Sequence, residues 1–357
     1  MTRAVLLIST STIFIACLLA LFMVVATKTR RTARSRKRAA LLRPFRSQLI
    51  AVSAGEDPDG QALNVLVAAD GTAGRLVDQA AVDMLGKIRG LPADQLVRVL
   101  RVHGAVRDAL PRLEHRSPVR RAQAAQLLGL SSEASAVPAL VVALGDDAVE
   151  VRTSAAYALG LVGDPAAAGP LLAAVDAPGA GLPAGVAAQA LLGMGVGISD
   201  ALLEALGSDR PGTRHVAAYL SGAGSFRRSV PALRGLLERD DDLTVRQASA
   251  TALGAIGSPV DVAVLALHTA ADHAVALRRI CAAALGDLGD PSAVPALTRL
   301  LDDPDPRLAE LAASALVKLG PTGQTVLRQR PPDRPDTPRR EPVEAALTVA
   351  RLQGVMS

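Results

Sequence analysis

Hydrophobic positions are distributed along this chain in two ways. From Ala4 to Thr27 they run almost unbroken, 24 residues without a charge (AVLLISTSTIFIACLLALFMVVAT). As a helix this length spans about 36 Å at 1.5 Å per residue and crosses a hydrocarbon core of roughly 30 Å. The pattern predicts one transmembrane helix over residues 1 to 27. A cleaved signal peptide is the competing reading, but its apolar region is normally shorter, and no small-residue cleavage site follows here. From about residue 116 the pattern changes to short apolar clusters that recur.

The recurrence is anchored on a glycine. Gly129, Gly160, Gly193, Gly222, Gly254 and Gly286 stand in equivalent places, with Val317 in the last block, at steps of 31, 33, 29, 32, 32 and 31 residues. A fixed period of this size marks a solenoid with two short helices and their turns in each unit. One residue before the glycine come Leu128, Leu159, Leu192, Leu253, Leu285 and Leu316, with Ser221 the exception. Four before it come Ala125, Ala156, Ala218, Ala250, Ala282 and Ala313, with Gln189 the exception. The leucines supply burial, and the alanines are expected to let neighbouring first helices approach closely. Pro138, Pro231 and Pro295 mark the second helices, while Asp164-Pro165 and Asp290-Pro291 read as a cap followed by a first-turn proline. The acidic runs Asp146-Asp147, Asp240 to Asp242 and Asp302-Asp303 are expected to cap each next unit. The third unit departs from the pattern between 177 and 206, with Gly179, Gly181, Pro183 and Gly185, and reads either as a flexible joint or as a worn repeat.

Blocks such as DDAVEVRTSAAYALGLVGDPAAAGPLLAAV (146 to 175) and DHAVALRRICAAALGDLGDPSAVPALTRLL (272 to 301) resemble HEAT repeats, specifically the short phycobilisome-lyase kind. The resemblance covers about 116 to 329 and implies an all-α fold, an α-solenoid of about seven HEAT-like helix pairs. Degenerate helical repeats over 60 to 115 precede it, where AGRLVDQAAVDMLGKIRG and PADQLVRVLRVHGAVRDAL predict helices. Before those come a basic juxtamembrane segment (28 to 59) and the transmembrane helix; after the solenoid, 330 to 357 read as a Pro/Arg-rich linker and a short C-terminal helix.

Composition fits thin layers. There is no Trp, the only tyrosines are Tyr157 and Tyr219, and there are four Phe, yet half the residues are hydrophobic. Cys17 and Cys281 imply neither a disulfide nor a zinc framework. The preference for Arg over Lys, with abundant Ala, Gly and Pro, suggests a bacterium with GC-rich coding.

Charge is unevenly placed. Lys28, Arg30, Arg31, Arg34, Arg36, Lys37, Arg38, Arg43 and Arg46 follow the apolar run with no acid before Glu56. By the positive-inside rule they orient a single-pass helix N-out, with the repeats in the cytoplasm of a bacterial cell and the protein in its plasma membrane. At the membrane surface these residues would meet anionic lipid. From residue 47 onward there remain 29 basic against 34 acidic residues, a net of −5. A mildly acidic solenoid is a poor nucleic-acid binder, so no nucleic-acid partner is expected.

The candidate chemistry is sparse. Eight residues before the glycine stand Arg121, Arg152, Arg214, Arg246 and Arg278. This column reads as a structural ladder tying each unit to acidic caps and carbonyls of its neighbour, in preference to a phosphate track. His103, His115, His215, His268 and His273 have no metal-ligand spacing, and no phosphate loop is present; the glycine clusters at 179 to 185 and 193 to 197 lack a preceding strand. Neither a cofactor nor a catalytic residue is expected. The reading that results is a membrane-anchored, non-enzymatic scaffold or adaptor for membrane-associated protein partners, such as an envelope or polysaccharide-synthesis complex. The alternative is a lyase-like or other ligand-binding enzyme, which the family resemblance alone suggests.

Overall fold

A computed structural model of the chain describes residues 22, 23, 28, 38 to 179, 181 to 329, and 348. Among the described residues all regular structure is helical. The chain divides into two compact units, Met1–Ala109 and Leu110–Ser357.

The expectation of a transmembrane helix is corrected. Among the described residues no helix is long and apolar enough to cross a membrane. The longest of them, Gly71–Leu85, has 15 residues, or about 22 Å at 1.5 Å per residue, short of a hydrocarbon core of roughly 30 Å. Of the segment 4 to 27 only Phe22 and Met23 are described. A charge-free run reports hydropathy, and hydropathy by itself does not establish a spanning helix. With the anchor fall the expectations that rested on it: the N-out single-pass topology, the bacterial plasma-membrane location with cytoplasmic repeats, the lipid contacts, and membrane-bound partners.

In the first unit, α1 (Arg46–Ala54), α2 (Gln61–Val67), α3 (Gly71–Leu85) and α4 (Leu91–Val102) pack on one another around Val52, Leu66, Val77, Leu96, Val99 and Leu100. The Asp57 carboxylate accepts from the amides of Ala62 (3.0 Å) and Leu63 (2.9 Å), so it satisfies orphan donors at the start of α2. The helical stretch read over 92 to 110 is divided in two, because the chain bends at Gly104, whose φ is +76°, before α5 (Ala105–Arg112). The division between the units falls within α5.

The second unit holds seven helix pairs among the described residues. They are α6 (Pro118–Leu130) with α7 (Val137–Ala143), α8 (Val149–Val162) with α9 (Ala168–Ala174), α10 (Ala184–Leu192) with α11 (Ser199–Leu206), and α12 (Pro211–Ala223) with α13 (Val230–Arg239). Then follow α14 (Leu243–Ile256) with α15 (Asp261–Leu267), α16 (Val275–Leu288) with α17 (Val294–Leu300), and α18 (Pro306–Lys318) with α19 (Pro321–Gln329). Each first helix packs on the first helix of the next pair. Asp164 caps the turn that begins at Pro165 and Asp290 the one at Pro291, and of the acidic runs Asp240 to Asp242 caps its helix through Asp242, which accepts from Thr244 and Val245. The other two runs do not: the N-cap of α8 is Ala148, without a side-chain cap, and that of α18 is Asp305.

The recurrent glycine marks where first helices touch. A Cβ on Gly129 would lie 2.4 Å from the Ala158 Cα, and one on Gly254 would lie 2.7 Å from the Ala284 Cα, so no larger residue fits without moving backbone. The alanine that receives the glycine stands two residues before the next unit's glycine at Ala158, Ala252 and Ala284, and three before it at Ala190, which receives Gly160. The alanines four residues before it, such as Ala125 and Ala250, are also fully buried. At the short α10 this seam is interrupted: Gly193 follows the helix, and a Cβ there would meet the Gly160 carbonyl oxygen at 3.0 Å, and the seam resumes at Gly222 against Ala252.

Candidate functional site

The ladder arginines all lie in the second unit and reach toward turns between units. Arg121 holds Asp146 with two bonds, Nε and Nη2 each 2.7 Å from a carboxylate oxygen. Arg214 holds Asp240 the same way at 2.6 and 2.8 Å. Arg278 donates to the Thr269 carbonyl at 2.9 Å and pairs with Asp303, both side chains buried. Arg152 and Arg246 find no carboxylate: Arg152 donates to backbone oxygens of Asp146 and Asp147, and Arg246 to that of Leu237 at 3.1 Å. A planar guanidinium with a fork of donors suits both bidentate pairing and carbonyl bridging.

Two further pairs lie off the column and escaped the sequence pattern. Arg279 binds Asp305 at 2.6 and 2.8 Å, and Arg234 on α13 pairs with the buried Asp261 that begins α15. The 25- to 27-residue spacing shared with the ladder pairs is the signal that finds them. The Arg121 guanidinium beside Asp146 holds its carboxyl below the usual value, and Arg279 does the same for Asp305. Burial pushes Asp261 up, but Arg234 and the Ser258 amide outweigh it and leave the carboxyl lowered.

In the first unit the contact is of another kind. His103 sets Nε2 3.2 Å from the Val67 carbonyl oxygen and Nδ1 2.5 Å from Asp78 Oδ1, joining α2, α3 and the end of α4. A carbonyl oxygen only accepts, so Nε2 carries the hydrogen. Burial pushes the Asp78 carboxyl up, against the pull of His103.

His268 and His273 stack with ring centroids 4.8 Å apart, beside Asp272. Burial, ahead of the nearby arginines, lowers His273. Among the described residues no group of three or more His, Cys, Asp or Glu could hold a metal ion. Cys281 is fully buried on α16, and burial pushes its thiol up to about 12. Of the nine basic residues expected at a membrane surface, Lys28, Arg38, Arg43 and Arg46 are described, and Arg30, Arg31, Arg34, Arg36 and Lys37 lie outside the described residues. Arg43–Phe45 forms a short 3-10 turn that leads into α1.

Four of the second helices carry an uncharged residue at one place. Thirteen residues after their glycines stand Val142, Ala173, Gly235 and Leu267; Val142 (79%), Ala173 and Leu267 (65%) are exposed, and Gly235 is half-buried. The place is buried in the third pair, at Leu206, and is taken by Arg299 in the sixth.

A family profile described as HEAT repeats matches residues 106–192, 199–277 and 266–348. Among solved structures, Kap121p bound to Nup53p is similar at 12% identity over 91% of this chain and 40% of that one, with a TM-score of 0.55. The CpcE–CpcF complex of phycocyanin lyase from Nostoc sp. PCC7120 is 22% identical, over 68% of this chain and 94% of that one, at 0.33. Human deoxyhypusine hydroxylase is 25% identical, over 79% and 100%, at 0.31. The Kap121p likeness shows the fold alone, and the chain spans well under half of that protein. No curated protein matches the chain.

Proposed function

Because the chain belongs to the HEAT-repeat family, we propose that it is a non-enzymatic scaffold that binds a partner protein along its second helices. The observation that carries this reading is the exposed, uncharged row with Val142 and Leu267 on α7 and α15. The pairs Arg121–Asp146, Arg214–Asp240 and Arg278–Asp303 bind charge within the stack, where it steadies the turns. The second-helix row is left free for apolar contact, the kind of surface on which interface energy concentrates.

Nothing in the geometry favours the lyase-like enzyme. A thiol pushed up to about 12 is no nucleophile at neutral pH. Tyr157 and Tyr219 stand on separate first helices, α8 and α12.

Proximity labelling in cells tests the proposal, with the label fused after Ser357 of the full chain and of a Val142→Asp/Leu267→Asp variant. A short set of proteins labelled by the first and lost with the second, at equal abundance of the two chains, supports it. An identical set from both chains overturns it.

A further inference from the structure

At three turns of the second unit the ladder carboxylate is held twice. Asp146 accepts from the Ala148 amide at 2.9 Å, Asp240 from Asp242 at 2.9 Å and Asp303 from Asp305 at 3.0 Å, each in addition to its arginine. Asp176 stands in the same register, 24 residues after Arg152. Two residues beyond it, however, is Pro178, which has no amide hydrogen to give.

Without that donor the Asp176 carboxylate lies elsewhere. It accepts from the Thr213 amide at 2.9 Å, at the start of α12 and beyond the whole third pair. Two more bonds run alongside, from Thr213 Oγ1 to the Leu172 carbonyl and from Arg210 Nη1 to the Ala173 carbonyl, both 3.2 Å. Gly212 makes the room, since a Cβ there would lie 2.3 Å from Asp176 Oδ1.

Arg152 is left with the complementary deficit. It is 8% exposed, donates only to carbonyls (including Gly181 at 3.3 Å), and its Nε is buried without a hydrogen-bond partner. A buried unmade bond is costly, and the acid that would satisfy it is the one diverted to α12.

We propose that Asp176 is a two-position clasp and that the third helix pair is the joint it controls. In the first position the carboxylate fastens the end of α9 to the start of α12. In the second it returns to Arg152, completes the ladder, and releases α12. Each position leaves one polar group unpaired, Arg152 Nε in the first and the Thr213 amide in the second.

The test places spin labels on first helices either side of the joint, at Tyr157→Cys and Thr251→Cys of the full chain with Cys17→Ser, and follows amide exchange at Thr213. Pro178→Ala restores the missing donor, and Gly212→Ala drives the carboxylate from α12. Both are expected to move the label distance in the same direction and to speed Thr213 exchange about tenfold or more. Arg152→Met removes the second position and is expected to slow Thr213 exchange. Unchanged exchange in Pro178→Ala overturns the clasp, and faster exchange with an unmoved distance overturns the joint. Amide protection in α16 reports whether each variant is folded; Pro178→Ala adds no bulk and decides the matter if Gly212→Ala does not fold.

Discussion

The two compact units both tie their helices together through aspartates, but with opposite partners. In the first, Asp78 meets the imidazole of His103, and burial raises its carboxyl. In the second, Asp146 and Asp305 meet guanidinium groups that hold their carboxyls down. The Asp78–His103 contact is made once and joins three helices at a single point. A carboxylate on an arginine gives charge-assisted strength and repeats along an array, because each unit supplies the same two residues. The difference predicts that the units respond differently to the same disturbance.

The largest contrast is expected from removing one ladder acid. Asp303→Ala leaves the buried Arg278 guanidinium without its partner, a loss of about 3–5 kcal/mol in typical buried pairs. Amide exchange of the full chain should show α16 and α18 losing protection while α4 keeps it; equal loss in both units would break the comparison. Next comes a pair of identical substitutions. Gly129→Ala pushes a Cβ into backbone at the α6–α8 seam and is expected to cost about 1–3 kcal/mol. Gly86→Ala, in open space at an ordinary helical φ in the first unit, is expected to be neutral or stabilising by up to about 1 kcal/mol. Denaturant titration measures both.

Acidification sharpens the contrast further. Carboxyls lowered by folding, such as Asp146 and Asp305, contribute stability that is fully present above the unfolded value of about 3.9 and is lost as pH falls through their folded values. Asp78, raised by folding, has the opposite sign: its contribution is present below the unfolded value and fades as pH rises through the folded one. Exchange protection followed from pH 6 to pH 3 should therefore fall first in the repeats. The smallest effect is expected from Asp78→Asn, which keeps a polar side chain of the same shape beside His103, at under about 1 kcal/mol. A loss as large as that of Asp303→Ala would break the ranking.

The sequence made the repeat legible because the same short-range demands return about every 31 residues. Leu128 and its equivalents must be buried, Gly129 must be small, and the turn aspartates must cap. The arginine column was visible for the same reason, as a register. Which arginines would miss their acid was not, since Asp176 and Asp272 occupy ladder positions yet neither binds the expected arginine. The Asp176 contact spans 37 residues and depends on a missing amide hydrogen at Pro178, which no periodic pattern encodes. His103 and Asp78 form a single contact with no repeat to reveal it. The glycine's true neighbour was missed by two positions, because both alanines are buried and only geometry separates them. The transmembrane expectation failed because hydropathy alone carried it.

Cys281 turns one of these features into a clock. Its sulfur lies fully enclosed on α16 and holds its proton up to about pH 12, so an alkylating reagent at neutral pH meets neither a path nor a thiolate. Modification at that position must wait for the fifth and sixth pairs to part, and the rate at which label accumulates there, read by peptide mass, counts those partings directly. The native thiol thus timestamps breathing of the stack without any foreign probe.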